Sequence, residues 1–156
     1  MQLPKNRILC VDDHKDSNSM MKVLLEMWDY EVALADTAAD GLHLAESEPF
    51  DLYLLETRLP EISGLELCKR ICRFPGHAQV VFISTAANET DKQRGLQAGA
   101  IAYLTKPVDF ETLEITLTGL LQNAQGKGLG KQLKGSRVAA THPHITNGLG
   151  EMNAGC

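Results

Sequence analysis

At 156 residues the chain is long enough to bury the core of one domain and too short for two ordinary ones. Its formal net charge of minus 5 is uneven: residues 124–156 carry Lys127, Lys131, Lys134 and Arg137 against Glu151, which leaves residues 1–123 at minus 8, and an acidic body excludes a nucleic-acid surface on the folded part because phosphate binding rests on Lys and Arg. No apolar run approaches the ~20 residues of a membrane span, and four cysteines without a CxxC spacing or a leading signal peptide lead to the expectation of a cytoplasmic protein.

Arg7 to Val11 is a short apolar run, and the acidic pair Asp12-Asp13 directly after it favours a strand buried on both faces. From Asp16 a helical period sets in, with Met20, Val23, Leu24 and Met27 as its apolar stripe and Asp16, Ser17 or Asn18 as the expected cap. Glu31 to Ala35 is a second strand, followed by a helix from about Thr37 to Ser47 that buries Ala38, Leu42 and Ala45. Leu52 to Leu55, between Pro49 and Pro60, is a third strand that delivers Glu56 to a loop ending at Gly64.

Gly64 opens a third helix with Leu65, Cys68, Ile71 and Cys72 facing inward, the two cysteines read as packed thiols rather than metal ligands. Gln79 to Ser84 is the strongest strand signal, and Thr85 follows it. A helix then runs to about Ala98, with Gly99 as its stop. Ile101 to Leu104 is the fifth strand and is followed by Thr105-Lys106-Pro107; the last helix starts near Asp109, with Phe110, Leu113, Leu117, Leu120 and Leu121 as its apolar face. Residues 124–156 hold seven of the 13 glycines and no apolar period, which predicts a flexible tail or linker after a domain of residues 1–123. His142 and His144 in that tail are a spacing that a stray metal ion could use.

Five strands alternating with five helices predict a doubly wound parallel α/β sheet in the flavodoxin-like order 2-1-3-4-5. The crevice of such a sheet lies beyond the carboxyl ends of its strands, which brings together Asp12, Asp13, Glu56, Thr85 and Lys106. Three carboxylates at one crevice call for a cation, and hard oxygen ligands suit Mg²⁺. Lys106 adds a fixed positive charge and Thr85 a hydroxyl, the parts a phosphoryl group needs.

The VDD run at 11–13, the LPEISG run at 59–64, Thr85-Ala86 and Tyr103-Leu-Thr-Lys106-Pro107 together resemble the receiver domain of bacterial response regulators in two-component signalling, over residues 5 to about 123. The resemblance implies a non-enzymatic phosphorelay module that works with a sensor histidine kinase or a downstream effector. It implies Mg²⁺ on Asp12, Asp13 and the residue at 56, a phosphoryl group gripped by Thr85 and Lys106, and Tyr103 as a switch that swings between exposed and buried positions. The family's phosphoryl acceptor is an aspartate, and here position 56 holds glutamate.

The extra methylene spoils the in-line geometry of metal, nucleophile and donor. Glu56 is therefore expected to act as a partial mimic of a phosphorylated residue, reaching Thr85 or Lys106, with a Glu56–Lys106 salt bridge as the simple outcome. Asp51 is at the far end of the same strand and cannot substitute. The alternative is a conventional Mg²⁺-dependent phosphoacceptor switch. A Mg²⁺-dependent phosphatase of the haloacid-dehalogenase type wants Asp-x-Asp-x-Thr where this chain has Asp12-Asp13-His14-Lys15-Asp16, and a flavodoxin wants a hydroxyl-rich phosphate loop there. Receivers that dimerise through helix 4, strand 5 and helix 5 use charge pairs; Ile101 and Ala102, and a last helix without Lys or Arg from Phe110 to Asn123, speak against that dimer and suit a drier contact.

Overall fold

The computed structural model describes residues 3–125. Strands β1 (Arg7–Val11), β2 (Glu31–Ala35), β3 (Leu52–Leu55), β4 (Gln79–Ser84) and β5 (Ala102–Thr105) alternate with helices α1 (Lys15–Met27), α2 (Ala38–Ser47), α3 (Gly64–Ile71), α4 (Glu89–Gln97) and α5 (Phe110–Gln125). All pairings are parallel and the order is β2-β1-β3-β4-β5, as the alternating pattern predicts. Because β1, β3 and β4 are covered on both sides, their residues alternate between two cores. Leu9, Val11, Tyr53, Leu55 and Phe82 pack towards α2 and α3 residues such as Ala38, Leu67 and Ile71. Ile8, Cys10, Leu52, Leu54, Val81 and Ile83 pack with Leu25, Leu113, Leu117 and Leu121.

Helix ends follow local chemistry. Thr37, Ser63 and Asn88 cap α2, α3 and α4 by accepting the backbone N–H three residues on, and Asp109 accepts that of Thr112. At α1 the expected caps are displaced: the helix begins at Lys15, His14 occupies the cap position without a side-chain bond, and Asn18 is inside the helix and buried. The expected apolar stripe of α1 is also corrected. Met20, Val23 and Met27 are 60%, 59% and 75% exposed, while Leu25 is buried and Met21, Leu24 and Trp28 pack against the core.

Two runs of apolar residues compete for the core on this helix, and the one in phase with the buried Leu25 wins. Phe110, placed on the buried face by its period, is likewise 49% exposed, and Ile101 lies outside β5 and is exposed. Cys68 and Cys72 are packed thiols that reach the carbonyls of Ala98 and Gly99, and burial pushes the Cys68 thiol up to about 12. Helix α5 continues to Gln125. The predicted tail from Gly126 onward, with His142 and His144, lies outside the described residues.

Candidate functional site

Asp12, Glu56 and Lys106 each come one residue after a strand, and the sheet's hydrogen bonds hold their backbones there. Asp12 N donates to Ala35 O at 3.1 Å, Glu56 N to Val11 O at 2.9 Å and Lys106 N to Ser84 O at 2.9 Å. The loop after Glu56 doubles back onto it: Gly64 N bonds Thr57 O at 2.9 Å, and a Cβ at Gly64 would lie 1.9 Å from the Glu56 carbonyl oxygen. Only glycine permits that approach, so Gly64 fixes where the position-56 side chain starts.

The Glu56 side chain is 5% exposed. Its Oε1 accepts from the Ser84 hydroxyl at 2.5 Å, from Arg58 N at 3.1 Å and from the Thr57 hydroxyl at 3.3 Å. Its Oε2 lies 3.2 Å from Lys106 Nζ, and the same ammonium sits 2.6 Å from Asp12 Oδ2. Burial by itself raises the Glu56 carboxyl, but the Ser84 hydroxyl, the Arg58 N–H and the Lys106 charge outweigh it and hold the group below the usual carboxylate range. Lys106 is shifted the opposite way: desolvation lowers it, and the hydrogen bond and charge of Asp12, then those of Glu56, raise it above the ordinary lysine value. Both directions describe one ion triad, with Lys106 as the cation between two carboxylates.

The expected Glu56–Lys106 contact is therefore present. The contact with Thr85 is not: Thr85 is exposed and Glu56 turns to its neighbour Ser84. Asp13 is exposed and stands apart from the triad, while Asp12 is buried, with His14 N on its Oδ1 at 2.9 Å. Asp51 is at the other end of β3, where it accepts from Arg7 N at 2.7 Å. Tyr103 is half-buried and turned inward; its hydroxyl donates to the Ala86 carbonyl, its ring centre is 5.7 Å from that of Phe82, and a Cβ at Gly95 would come 2.6 Å from its Cδ2.

Ser84 and Thr57, which the motifs do not single out, stand behind the Glu56 carboxylate. They are both buried and hydrogen-bonded to each other at 2.7 Å, and the Ser84 hydroxyl also accepts from Ala86 N at 3.0 Å. The signal for them was present: in the order β3-β4, Leu55 pairs with Phe82, so position 57 falls opposite the one polar residue that ends the apolar run QVVFIS.

The receiver-domain family model, described as "Response regulator receiver domain", matches residues 8–118, and the chain belongs to that family. It is 37% identical over 78% of its length to a probable transcriptional regulatory protein of Picosynechococcus sp., covering 51% of that protein. It is 33% identical over 77% of its length to response regulator ArlR of Staphylococcus epidermidis, covering 54% of it. The chain thus spans about half the length of these curated relatives. Among solved structures, a CheY-like receiver domain protein from Methanospirillum hungatei is matched at 33% identity and a TM-score of 0.74, over 80% of this chain and 99% of that one.

Receiver domains are in general non-enzymatic signalling modules, they typically bind Mg²⁺ at the phosphorylation site, and they interact with histidine kinases or phosphotransfer proteins and effectors. The donors present here do not fit that metal as the sequence expected. Lys106 holds one oxygen each of Asp12 and Glu56, hydroxyl and amide groups hold the other Glu56 oxygen, and Asp12, Asp13 and Glu56 do not converge. Among the described residues no three Asp, Glu, His or Cys side chains are grouped so as to hold a metal ion. Among the same residues no helix is long and apolar enough to cross a membrane.

Proposed function

We propose that this receiver signals through protein contacts from a site whose position-56 carboxylate is already engaged, with phosphoryl transfer to position 56 lost and its effect in part replaced by Glu56. The observation that carries the reading is the engagement of both Glu56 oxygens, one by Ser84 and the Arg58 N–H and the other by Lys106. A nucleophile needs a free lone pair aimed at the donor phosphorus. Here the carboxylate is buried and satisfied on both sides.

In this reading Lys106 grips a resident carboxylate instead of an incoming phosphoryl group. Thr85 and Tyr103 are the switch pair, and the inward Tyr103, tied to the Ala86 carbonyl, is the state that Glu56 favours. The partners are a sensor histidine kinase or a downstream effector in the cytoplasm, and the outward Val23 and Met27 on α1 are the contact surface. Leu96, Ile101 and Ile115 are exposed around β5, and any association through that face is dry rather than charge-paired.

The test is to incubate the protein and its Glu56→Asp variant with Mg²⁺ and a small phosphodonor and to measure intact mass. Only the variant is expected to gain one phosphoryl group. Labelling of the unmodified chain at Glu56 sinks the reading.

A further inference from the structure

A cavity of about 510 Å³ opens beside the ion triad, between α1 and the segment that joins β5 to α5. Its walls are Met20, Met21 and Leu24 of α1 with Val108 and Phe110 opposite, a volume in the range that takes a small organic molecule. Unbranched methionines let such a wall adapt to the shape of an occupant. The half-exposed Phe110 is out of the core because it forms the rim of this cavity rather than the buried face of α5.

The polar end of the cavity is rich in acceptors. Asp12, Asp16 and Glu56 line it against the single ammonium of Lys106. That ammonium is taken up by Asp12 and Glu56, whereas Asp16 has no ion-pair partner among the described residues. Asn18, 3% exposed, adds a second and independent sign. The hydrogen bonds of its side chain are donated by Nδ2, to the carbonyls of Asp12 and Ala35, and among the described residues no protein group donates to its Oδ1.

We infer that this cavity is a binding site for a small amphipathic organic cation, an amine or amidine whose apolar body lies among Met20, Met21, Leu24 and Phe110 and whose N–H groups meet Asp16 and Asn18. The match of an apolar wall and an acceptor-rich, net negative end selects a cation over an anion or a neutral molecule. The inference goes beyond the proposed signalling role and does not depend on whether Glu56 accepts a phosphoryl group.

The test uses the full chain with methyl-labelled methionine and three probes of one shape: phenylbutylamine, phenylbutanol and phenylbutyrate. The amine is expected to saturate a single site and to shift the methyl signals of Met20 and Met21 but not that of Met27, which is exposed on the same helix outside the cavity. The alcohol should bind about tenfold more weakly and the carboxylate more weakly still. Asp16→Asn, at an exposed position in the first turn of α1, should weaken the amine about fivefold and leave the alcohol unchanged. Equal binding of amine and carboxylate, equal shifts at Met27, or indifference to Asp16→Asn each overturn the inference. A basic amphipathic peptide that binds where the amine does not would assign the face to a protein partner and overturn it too.

Discussion

Replacing Lys106 by Met keeps most of the side-chain volume and removes the cation between two carboxylates. At an effective dielectric constant of about 20, unit charges 3.2 Å and 2.6 Å apart attract by roughly 5 and 6 kcal/mol, most of which offsets the desolvation of the three groups. The cost of the substitution is set instead by what remains: Asp12 and Glu56, both buried, lose their shared counter-charge. Breaking a buried pair in this way costs about 3–5 kcal/mol, and the low end applies because the Lys106 side chain is 19% exposed and water reaches it. A loss of about 3 kcal/mol at neutral pH moves the urea midpoint down by about 1–3 M.

The pH dependence separates this cause from a packing defect. In the parent protein the Glu56 carboxyl is held low, so its contribution is present above its unfolded value and is lost as pH falls through the lower folded value. In Lys106→Met the charge and hydrogen bond of Lys106 are gone and only the Ser84 and Arg58 bonds oppose burial, so the carboxyl lies higher than in the parent and protonation relieves the variant first. The deficit should therefore shrink as pH is lowered from 7 towards 4, and Glu56→Gln in the Lys106→Met background should recover part of it at pH 7. Equilibrium urea unfolding of the three proteins at both pH values provides the measurement. A deficit under about 0.5 kcal/mol, or one that is the same at both pH values, would refute the ion-triad argument.

Ser84→Ala removes the shortest hydrogen bond to Glu56 and leaves Thr57 and the Ala86 N–H without their shared partner; a loss of about 1.5–3 kcal/mol is expected, with an upward shift of the Glu56 titration seen by carboxyl NMR. Gly64→Ala drives a methyl into the Glu56 carbonyl and should cost more than about 3 kcal/mol or abolish folding, read from the thermal midpoint. Tyr103→Phe removes one hydrogen bond to the Ala86 carbonyl and should cost about 1 kcal/mol while leaving the ring against Phe82, checked by unfolding and by near-ultraviolet circular dichroism. Met27→Glu, at an exposed position of α1, should leave stability within about 0.5 kcal/mol and weaken partner capture measured by titration with a histidine kinase domain.

The sheet and its order were legible because strands buried on both faces are written as unbroken apolar runs, and such runs alternated with helical periods five times over. What one period could not decide was the rotation of α1: Met20, Val23 and Met27 form a stripe as regular as Met21, Leu25 and Trp28, and only packing against Ile8, Cys10 and Leu113 selects the second. The same ambiguity put Phe110 in the core on paper and at a cavity rim in space. At the site, Asp12, Glu56 and Lys106 could be gathered in advance because the parallel fold sends every strand's carboxyl end to one edge. The direction of the Glu56 side chain could not, since it depends on a choice between Thr85 and Ser84, adjacent hydroxyls that strand alternation sends to opposite sides. Register decides it: Ser84 lies opposite Thr57, buried behind the carboxylate, and a glutamate long enough to reach past the site meets a hydroxyl there that bonds it and a lysine that neutralises it. In the proposed reading, the longer side chain at position 56 takes Lys106 as its counter-charge where a receiver's phosphorylation site typically holds an exchangeable cation.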